Sequence, residues 1–147
     1  MTEVQARAVE ILLVEDNDGD VFLTKKAFET AKIANNFHVA MDGEIALAML
    51  RNEGEYADIP RPDLILLDIN LPKKDGRAVL SEIRDDEELR RIPIVILSSS
   101  STEQDVLKSY DLHANSYIVK PINLNSFQNI VSAIENFWFN LVVLPQR

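Results

Sequence analysis

The sequence predicts an α/β fold, a parallel sheet with helices packed on both faces. Five apolar runs, each short enough to be a strand, lie near residues 10–15, 37–41, 63–67, 93–98 and 116–119. The segments between these runs carry apolar residues at the three- and four-residue spacing of a helix. Strands that alternate with helices form parallel sheets, because each parallel connection has to cross the length of the sheet. A chain of 147 residues has room for one such domain.

The first two strand–helix units are predicted from the amino-terminal part of the chain. The first helix is expected to begin near Asp18 or Gly19, and the turn Asp42-Gly43 closes the second strand. Each helix has an apolar stripe that we expect to face the sheet. The stripes consist of Val21, Phe22, Ala27 and Phe28 in the first helix and Ala46, Leu47, Met49 and Leu50 in the second. A loop rich in turn residues, 54–62, follows.

Three further helices are predicted in the remainder of the chain. The third follows Gly76, and we expect the charged stretch 84–91 to extend it into solvent. The pair Ser101-Thr102, followed by Glu103 and Gln104, is typical of a helix start and predicts the fourth. The expected buried stripes are Val79, Leu80 and Ile83 in the third helix, and Leu124, Phe127, Ile130, Val131, Ile134, Phe137, Trp138 and Leu141 in the long fifth helix.

The composition excludes several classes of function. The chain has 24 acidic and 15 basic residues and a net charge of −9, so we expect it to bind neither nucleic acid nor an anionic membrane surface. It has no cysteine, which excludes disulfides, thiol catalysis and thiolate metal sites and fits a cytoplasmic location. No secretory leader is visible at the start, and the longest apolar stretch, 137–144, is far shorter than the roughly 20 residues that a membrane-spanning helix needs.

Four of the predicted strands end on polar side chains. The first ends on Glu15-Asp16, the third on Asp68, the fourth on Ser98 and the fifth on Lys120. In an open parallel sheet the ligand crevice lies at the carboxyl ends of the strands, so these groups can converge on one point. Acids, a hydroxyl and an ammonium group in one crevice suggest an aspartyl phosphate site.

Three carboxylates in one crevice require a counter-charge. At about 4 Å each pair repels by roughly 1 kcal/mol in water and by up to about 4 kcal/mol at an effective dielectric constant near 20. Mg²⁺ suits a site of a few carboxylates, backbone carbonyls and waters. We expect Asp16 and Asp68 to be side-chain ligands, the backbone carbonyl of Asn70 to be a third ligand, and Glu15 to act directly or through water. The alternative for Glu15-Asp16 is an ordinary turn or helix-capping pair.

Asp68 is the expected nucleophile, because a carboxylate can attack phosphorus and form an acyl phosphate. Lys120 can reach a phosphoryl oxygen across the crevice, and the alternative is a surface lysine at a turn. Ser98 can donate a hydrogen bond to the phosphoryl group, or it can simply be the first of four serines in a solvated loop. Tyr117 is either an aromatic residue of the core or a switch residue.

Taken together, these residues resemble the receiver domain of two-component response regulators over nearly the whole chain. The acidic pair, the acceptor Asp68 with Leu71-Pro72 and Asp75-Gly76 after it, the hydroxyl, the aromatic residue and the pair Lys120-Pro121 come in the family's order. The resemblance implies a flavodoxin-like fold of five βα units with the sheet order 2-1-3-4-5. It also implies that a partner histidine kinase supplies the phosphoryl group. The domain would then catalyse only its own phosphorylation and dephosphorylation.

Finer features resemble the cyanobacterial phytochrome response regulators. These features are the segments 16–20, 54–62, 71–76 and 109–112 and the ending 137–145. The narrower resemblance implies a phytochrome as the kinase and a homodimer built on the face of the fourth helix, the fifth strand and the fifth helix. Two residues depart from the wider family, Lys74 where Met is frequent and Ser98 where Thr is common, and neither changes the required chemistry.

The C-terminal tail is an unusually apolar segment. We expect one receiver domain over 1–147 with its core at about 9–136, an apolar extension at 137–147 and no output domain, so that a surface would signal to an unknown downstream protein. One small domain has little inner surface to cover such a tail, and exposed apolar patches mark interfaces. A symmetric dimer contact is expected, with packing against the same domain as the alternative. Its residues would be Phe137, Trp138, Leu141, Val142 and Leu144.

Two other classes of function fit part of the pattern. A hydrolase of the haloacid dehalogenase type also uses an aspartyl nucleophile at a strand end, but it needs a second Asp two residues later, where this chain has Asn70. A receiver that acts as a constitutive interaction module would have no need of the complete acid set. The two histidines, His38 and His113, are isolated, and structural roles are favoured for both over metal binding or phosphate relay.

Overall fold

Strands and helices alternate along the chain, as the sequence predicts. The computed structural model describes residues 8–30, 34–69, 71, 75–98, 116–119, 128 and 131–132. The strands are β1 (Val9–Val14), β2 (Asn35–Ala40), β3 (Leu64–Asp68), β4 (Ile94–Ser98) and β5 (Ser116–Val119). The helices include α1 (Asp18–Glu29), α2 (Gly43–Leu50) and α3 (Gly76–Asp85), and short 3₁₀ turns lie at Gly54–Tyr56 and Leu89–Arg91.

All five strands are parallel and form one sheet. Their order is β2-β1-β3-β4-β5, which confirms the predicted flavodoxin-like fold. The register aligns the strand ends, since Val14 pairs with both Ala40 and Leu67, and Asp68 pairs with Leu97. The residues that follow β1, β2 and β3 therefore meet at one end of the sheet, which we call the carboxyl edge.

Alternate residues of each inner strand contribute to two separate cores, one on each face of the sheet. One core joins Leu12, Val14, Ile65, Leu67, Ile94 and Ile96 to buried residues of α2 and α3. The other joins Ile11, Leu13, Leu64, Leu66, Val95 and Leu97 to Ala27 and Phe28 of α1 and to Val131. Helices therefore cover both faces, as predicted, and this explains why the inner strands are continuous apolar runs. Burying each of the Leu, Ile, Val and Phe side chains among them contributes about 1.5–3 kcal/mol.

Each of the helices α1, α2 and α3 starts with a side-chain cap just beyond the carboxyl edge. The side chain of Asn17 accepts a hydrogen bond from the Asp20 N–H (2.9 Å) at the start of α1. Asp42 accepts from the Ile45 N–H (2.8 Å) at the start of α2, and Asp75 accepts from a backbone N–H of the first turn of α3. These caps satisfy N–H groups that have no partner inside a helix. They place each helix start at a defined position after its strand.

One residue of the predicted α1 stripe does not face the core, so that part of the prediction is wrong. Phe22 is exposed (58%), whereas Ala27 and Phe28 are buried and Val21 packs against the core as predicted. The buried position in this turn is taken by Thr24, whose hydroxyl donates a hydrogen bond to the Asp20 carbonyl (2.7 Å). A threonine that satisfies its own hydroxyl in this way can face the core, and Phe22 is left on the outer surface of the helix.

The stretch 84–91 also differs from its prediction as a solvated extension of the third helix. Helix α3 ends at Asp85, and Leu89 in the following 3₁₀ turn is buried. The Asp86 carboxylate accepts hydrogen bonds from the backbone N–H groups of Leu89 (3.0 Å) and Glu88 (2.9 Å), and these bonds hold the pKa of Asp86 below its usual value. The charged residues of this segment thus flank a buried leucine in a 3₁₀ turn, and they do not continue the helix.

The predicted loop 54–62 is confirmed, whereas the predicted fourth and fifth helices are described in part or not at all. The segment 54–62 is a loop apart from its 3₁₀ turn, and the Asn52 side chain bridges it by donating to the carbonyls of Tyr56 (3.1 Å) and Ile59 (2.8 Å). The predicted start of the fourth helix and most of the predicted fifth helix lie outside the described residues, although residues 128 and 131–132 are helical. Within the described ranges, no helix has the length and apolar character needed to cross a membrane.

Candidate functional site

Three carboxylates meet at the carboxyl edge of the sheet. Glu15 and Asp16 follow β1, and Asp68 is the last residue of the neighbouring strand β3. One carboxylate oxygen of each residue lies within 4.8 Å of the corresponding oxygens of the other two. The positions of these three residues at strand ends predict that they converge, and the structure brings them together.

The three acids differ in their exposure to solvent. Glu15 and Asp68 are buried (1% and 4% exposed), whereas Asp16 is exposed. The cluster therefore has two acids fixed inside the protein and one at the surface, so a small ligand can approach from the side of Asp16. Because like charges at this spacing repel, a cation that binds between them removes an electrostatic cost.

The backbone around Asp68 is held from two sides. Residues of β3 are buried throughout, and Asp68 pairs with Leu97 of β4. Directly after it, the Ile69 N–H donates to the Leu97 carbonyl (3.0 Å), and the Ile69 carbonyl accepts from the Gly76 N–H (3.1 Å). The strand and the start of α3 thus fix the peptide next to the Asp68 side chain, which a reactive or ligating group requires.

Glu15 is fixed by the strand before it and the helix after it. Its N–H donates to the Ala40 carbonyl of β2 (3.0 Å), which continues the sheet by one residue. Its carboxylate accepts from the Asn17 N–H (3.1 Å), and Asn17 caps α1. The turn that holds the acidic pair is thereby built into the start of the first helix.

The donor set fits a hard divalent cation. All three side chains offer carboxylate oxygens, which are the ligands that Mg²⁺, Mn²⁺ and Ca²⁺ prefer. Among the described residues, Glu15, Asp16 and Asp68 form the group of acidic and imidazole side chains whose geometry can hold an ion. The reading of Glu15-Asp16 as only a turn pair does not account for their approach to Asp68.

The other predicted site residues are described in part or not at all. Ser98 ends β4 and pairs with Val119 of β5, and Tyr117 pairs with Ile96, but the side chains of Ser98 and Tyr117 lie outside the description. Asn70 and Lys120 also lie outside the described residues. The same is true of the predicted dimer contact, Phe137, Trp138, Leu141, Val142 and Leu144. Their roles stay predictions.

Of the two histidines, one is described. The His38 ring nitrogen Nε2 lies 3.0 Å from a carboxylate oxygen of Glu10, on the neighbouring strand β1. This cross-strand contact gives His38 a structural partner, in agreement with the prediction. His113 lies outside the described residues.

Two features that hold the site in place are not apparent from the sequence. One is the capping of α1 by Asn17 next to the Glu15 carboxylate. The other is the contact of Gly76 with the backbone beside Asp68. A glycine after a capping aspartate is visible in the sequence, but the strand it touches is known only once the chain is folded.

Comparison with known proteins gives a consistent result. A family model described as response regulator receiver domain matches residues 11–132. The response regulator Rcp1 of Synechocystis sp. is 48% identical over 135 residues, which cover 92% of this chain and 92% of Rcp1.

Two solved structures are similar to this chain over almost its full length. One is the Mn²⁺-bound form of response regulator Rcp1, with a TM-score of 0.84, 47% identity and coverage of 94% of this chain and 99% of that one. The other is the phosphorylated cyanobacterial phytochrome response regulator RcpA, with a TM-score of 0.87, 50% identity and coverage of 95% and 100%.

Proposed function

The chain belongs to the response regulator receiver domain family and is related to phytochrome response regulators, and from this premise we propose that it accepts a phosphoryl group on Asp68 from a partner histidine kinase. The observation that carries the proposal is the meeting of Glu15, Asp16 and Asp68 at the carboxyl edge. The proposed role is that of a receiver-domain signalling protein whose only catalysis is its own phosphorylation and dephosphorylation.

Asp68 has the properties of an acceptor. A carboxylate oxygen of Asp68 would form a bond to phosphorus while the bond between phosphorus and the donor's imidazole nitrogen breaks. The electron pair stays on that nitrogen, and the histidine takes up a proton. In the second half of the cycle, water attacks phosphorus, the bond between phosphorus and the Asp68 oxygen breaks, and inorganic phosphate leaves with the Asp68 carboxylate restored. Its hydrogen-bonded backbone holds the attacking oxygen in place, and phosphoryl transfer depends mainly on such positioning.

We assign Mg²⁺ to the acidic cluster. Asp16 and Asp68 would hold it by their side chains and Asn70 by its backbone carbonyl, with Glu15 acting directly or through water. When bound, the ion supplies positive charge to the oxygens of the transferred phosphoryl group. The Mn²⁺-bound form of Rcp1 supports the assignment, because Mn²⁺ and Mg²⁺ share a preference for carboxylate and water ligands.

The response to phosphorylation is proposed to pass through the strands next to Asp68. Lys120 would pair with a phosphoryl oxygen, and Ser98 would donate a hydrogen bond to another. The pairing of Ser98 with Val119 supports this role, because Lys120 comes directly after Val119 in the chain. Together with Tyr117, these residues would bias the face of the fourth helix, the fifth strand and the fifth helix between two packings.

The partners and location are proposed from the relatives. A phytochrome-type kinase is the proposed donor, because RcpA, at 50% identity, is a phytochrome response regulator. A homodimer through the C-terminal tail and a cytoplasmic location complete the proposal. The net charge of −9 argues against nucleic acid or an anionic membrane as a target, so the downstream partner is expected to be a protein.

The test is phosphorylation by a small phosphodonor. Incubation with acetyl phosphate and Mg²⁺ should add the mass of one phosphoryl group to the wild-type protein and none to Asp68→Asn. Chelation of the metal with EDTA should abolish the addition. Equal labelling of wild type and variant would contradict the assignment of Asp68, and sustained hydrolysis of small phosphoesters would point to a hydrolase.

A further inference from the structure

We propose that Gly76 is a positioning residue for the acidic cluster: its lack of a side chain lets the start of α3 lie against the backbone of Asp68 and Ile69. The inference rests on the proposed function, because it concerns the metal and the acceptor at Asp68. Gly76 would thereby hold the main chain of the acceptor Asp68 in place.

The approach of Gly76 to this backbone leaves no room for a methyl group. A Cβ atom at Gly76 would collide with the carbonyl oxygen of Asp68. It would also lie 2.6 Å from the Ile69 Cα and 2.9 Å from the Ile69 carbonyl oxygen. Non-bonded carbon atoms make favourable contacts at about 3.5–4.0 Å. All three neighbouring atoms belong to the main chain, so rotation of a side chain cannot relieve the collision.

The strand side of this contact is held in place. Ile69 is fully buried in the core beneath α2 and α3, and its N–H donates to the Leu97 carbonyl of β4 (3.0 Å). Movement of Asp68 and Ile69 away from a larger residue would disrupt that core and the sheet. The cheaper response is for the start of α3 to move outward and to lengthen the hydrogen bond from the Gly76 N–H to the Ile69 carbonyl (3.1 Å).

Such a movement would be felt at the acidic cluster. The hydrogen bond between Gly76 and Ile69 closes the connection that leaves β3 directly after Asp68 and enters α3. The Asp68 carbonyl oxygen lies where a Cβ atom of residue 76 would stand, and the Asp68 carboxylate belongs to the group of three acids. A shift of the Asp68 main chain changes the orientation of the Asp68 carboxylate. Metal sites are sensitive to the groups that orient their ligands.

The other glycines for which the surrounding space is known behave differently. The nearest atom to a Cβ at Gly19 is a side-chain oxygen of Asn17, at 3.2 Å. A Cβ at Gly54 would meet nothing within 4 Å. Of Gly19, Gly54 and Gly76, Gly76 is therefore the one that packs closely on rigid backbone.

The experiment compares Gly76→Ala with wild type in the binding of Mn²⁺ alone, measured by the paramagnetic resonance signal of the free ion. We expect about tenfold weaker binding, the lower end of the effect of losing a group that orients a metal ligand. The matched control is Val79→Ala, which leaves a cavity at a fully buried residue of the same helix and of the same core as Ile69, but adds no atom against the main chain of Asp68 and Ile69. It should lower the unfolding temperature and leave Mn²⁺ binding unchanged.

The outcomes separate this proposal from the proposed function. Wild-type binding of Mn²⁺ by Gly76→Ala would overturn the role of Gly76, as would equal weakening by Val79→Ala. Asp16→Asn serves as the positive control for the site. If the wild type fails to bind Mn²⁺, the proposed function and this proposal both fall. If Gly76→Ala does not fold even at low temperature in sucrose, Gly76 serves the fold rather than the site, and the proposal is overturned.

Discussion

Asp16 is the exposed member of a carboxylate cluster whose other two members are buried. Its neighbours Glu15 and Asp68 cannot turn their charges towards water, so a cation that binds between the three carboxylates relieves part of their mutual repulsion. A residue in this position should stabilise the protein when metal is present and destabilise it when metal is absent.

We predict that Asp16→Asn raises the free energy of unfolding in EDTA by about 1 kcal/mol, the repulsion of one charge pair in a largely aqueous setting. In Mg²⁺ the order should reverse. The wild type gains about 2.7 kcal/mol at a free metal concentration of 100 times Kd, and the variant binds too weakly to gain as much. Urea denaturation with and without metal measures both effects.

Asp18→Asn is the control for that prediction, because Asp18 is an exposed acid in the first turn of α1 and does not belong to the cluster. Loss of its charge near a helix N-terminus should lower the free energy of unfolding by about 0.3–1 kcal/mol, whether or not metal is present. If Asp16→Asn behaved in the same way in EDTA, the three carboxylates would not repel one another as argued.

At the scale of a secondary-structure element, α1 has two phenylalanines with opposite surroundings. Phe28 is 5% exposed and packs against Phe37 of β2, with ring centroids 5.1 Å apart. Phe22 is 58% exposed, and its ring lies 5.9 Å from the Lys26 ammonium. The same substitution at these two positions separates burial from helix propensity.

We predict that Phe28→Ala lowers the free energy of unfolding by about 3–5 kcal/mol, because it removes a buried ring and leaves a cavity. Phe22→Ala should change it by no more than about 0.5 kcal/mol, since the ring is in water and its contact with Lys26 is weak. Denaturant titrations of both variants measure the difference. Equal losses would show that Phe22 is buried in solution, contrary to its position here.

At the scale of the whole molecule, the tail is expected to determine assembly. We predict that Leu141→Glu converts the proposed dimer into a monomer, because a charge cannot be buried in an apolar interface without a partner. Sedimentation velocity measures the state of association, and labelling with acetyl phosphate should be unaffected. A dimer that survives the substitution would place the interface elsewhere, and Asn140→Glu provides a control with the same new charge on the neighbouring residue.

The global arrangement was easier to predict than the local exceptions. The parallel sheet and the convergence of Glu15, Asp16 and Asp68 follow from alternating strands and helices and from where the strands end, whereas the strand order follows only from the resemblance to receiver domains. Phe22 was misplaced because apolar spacing cannot show that Thr24 satisfies its own hydroxyl and takes the inner position. The contact of Gly76 with Asp68 was not foreseen, because it joins two segments whose separation is fixed only by tertiary packing.

The division of the interior by the sheet has a consequence for how such a chain can evolve. Because neighbouring residues of one strand face opposite cores, a volume change on one side can be compensated by residues of that side alone. The two halves of the interior are therefore free to diverge at separate rates. Substitutions that reshape the core beneath α1 need not disturb the core beneath α2 and α3, in which Ile69 is packed.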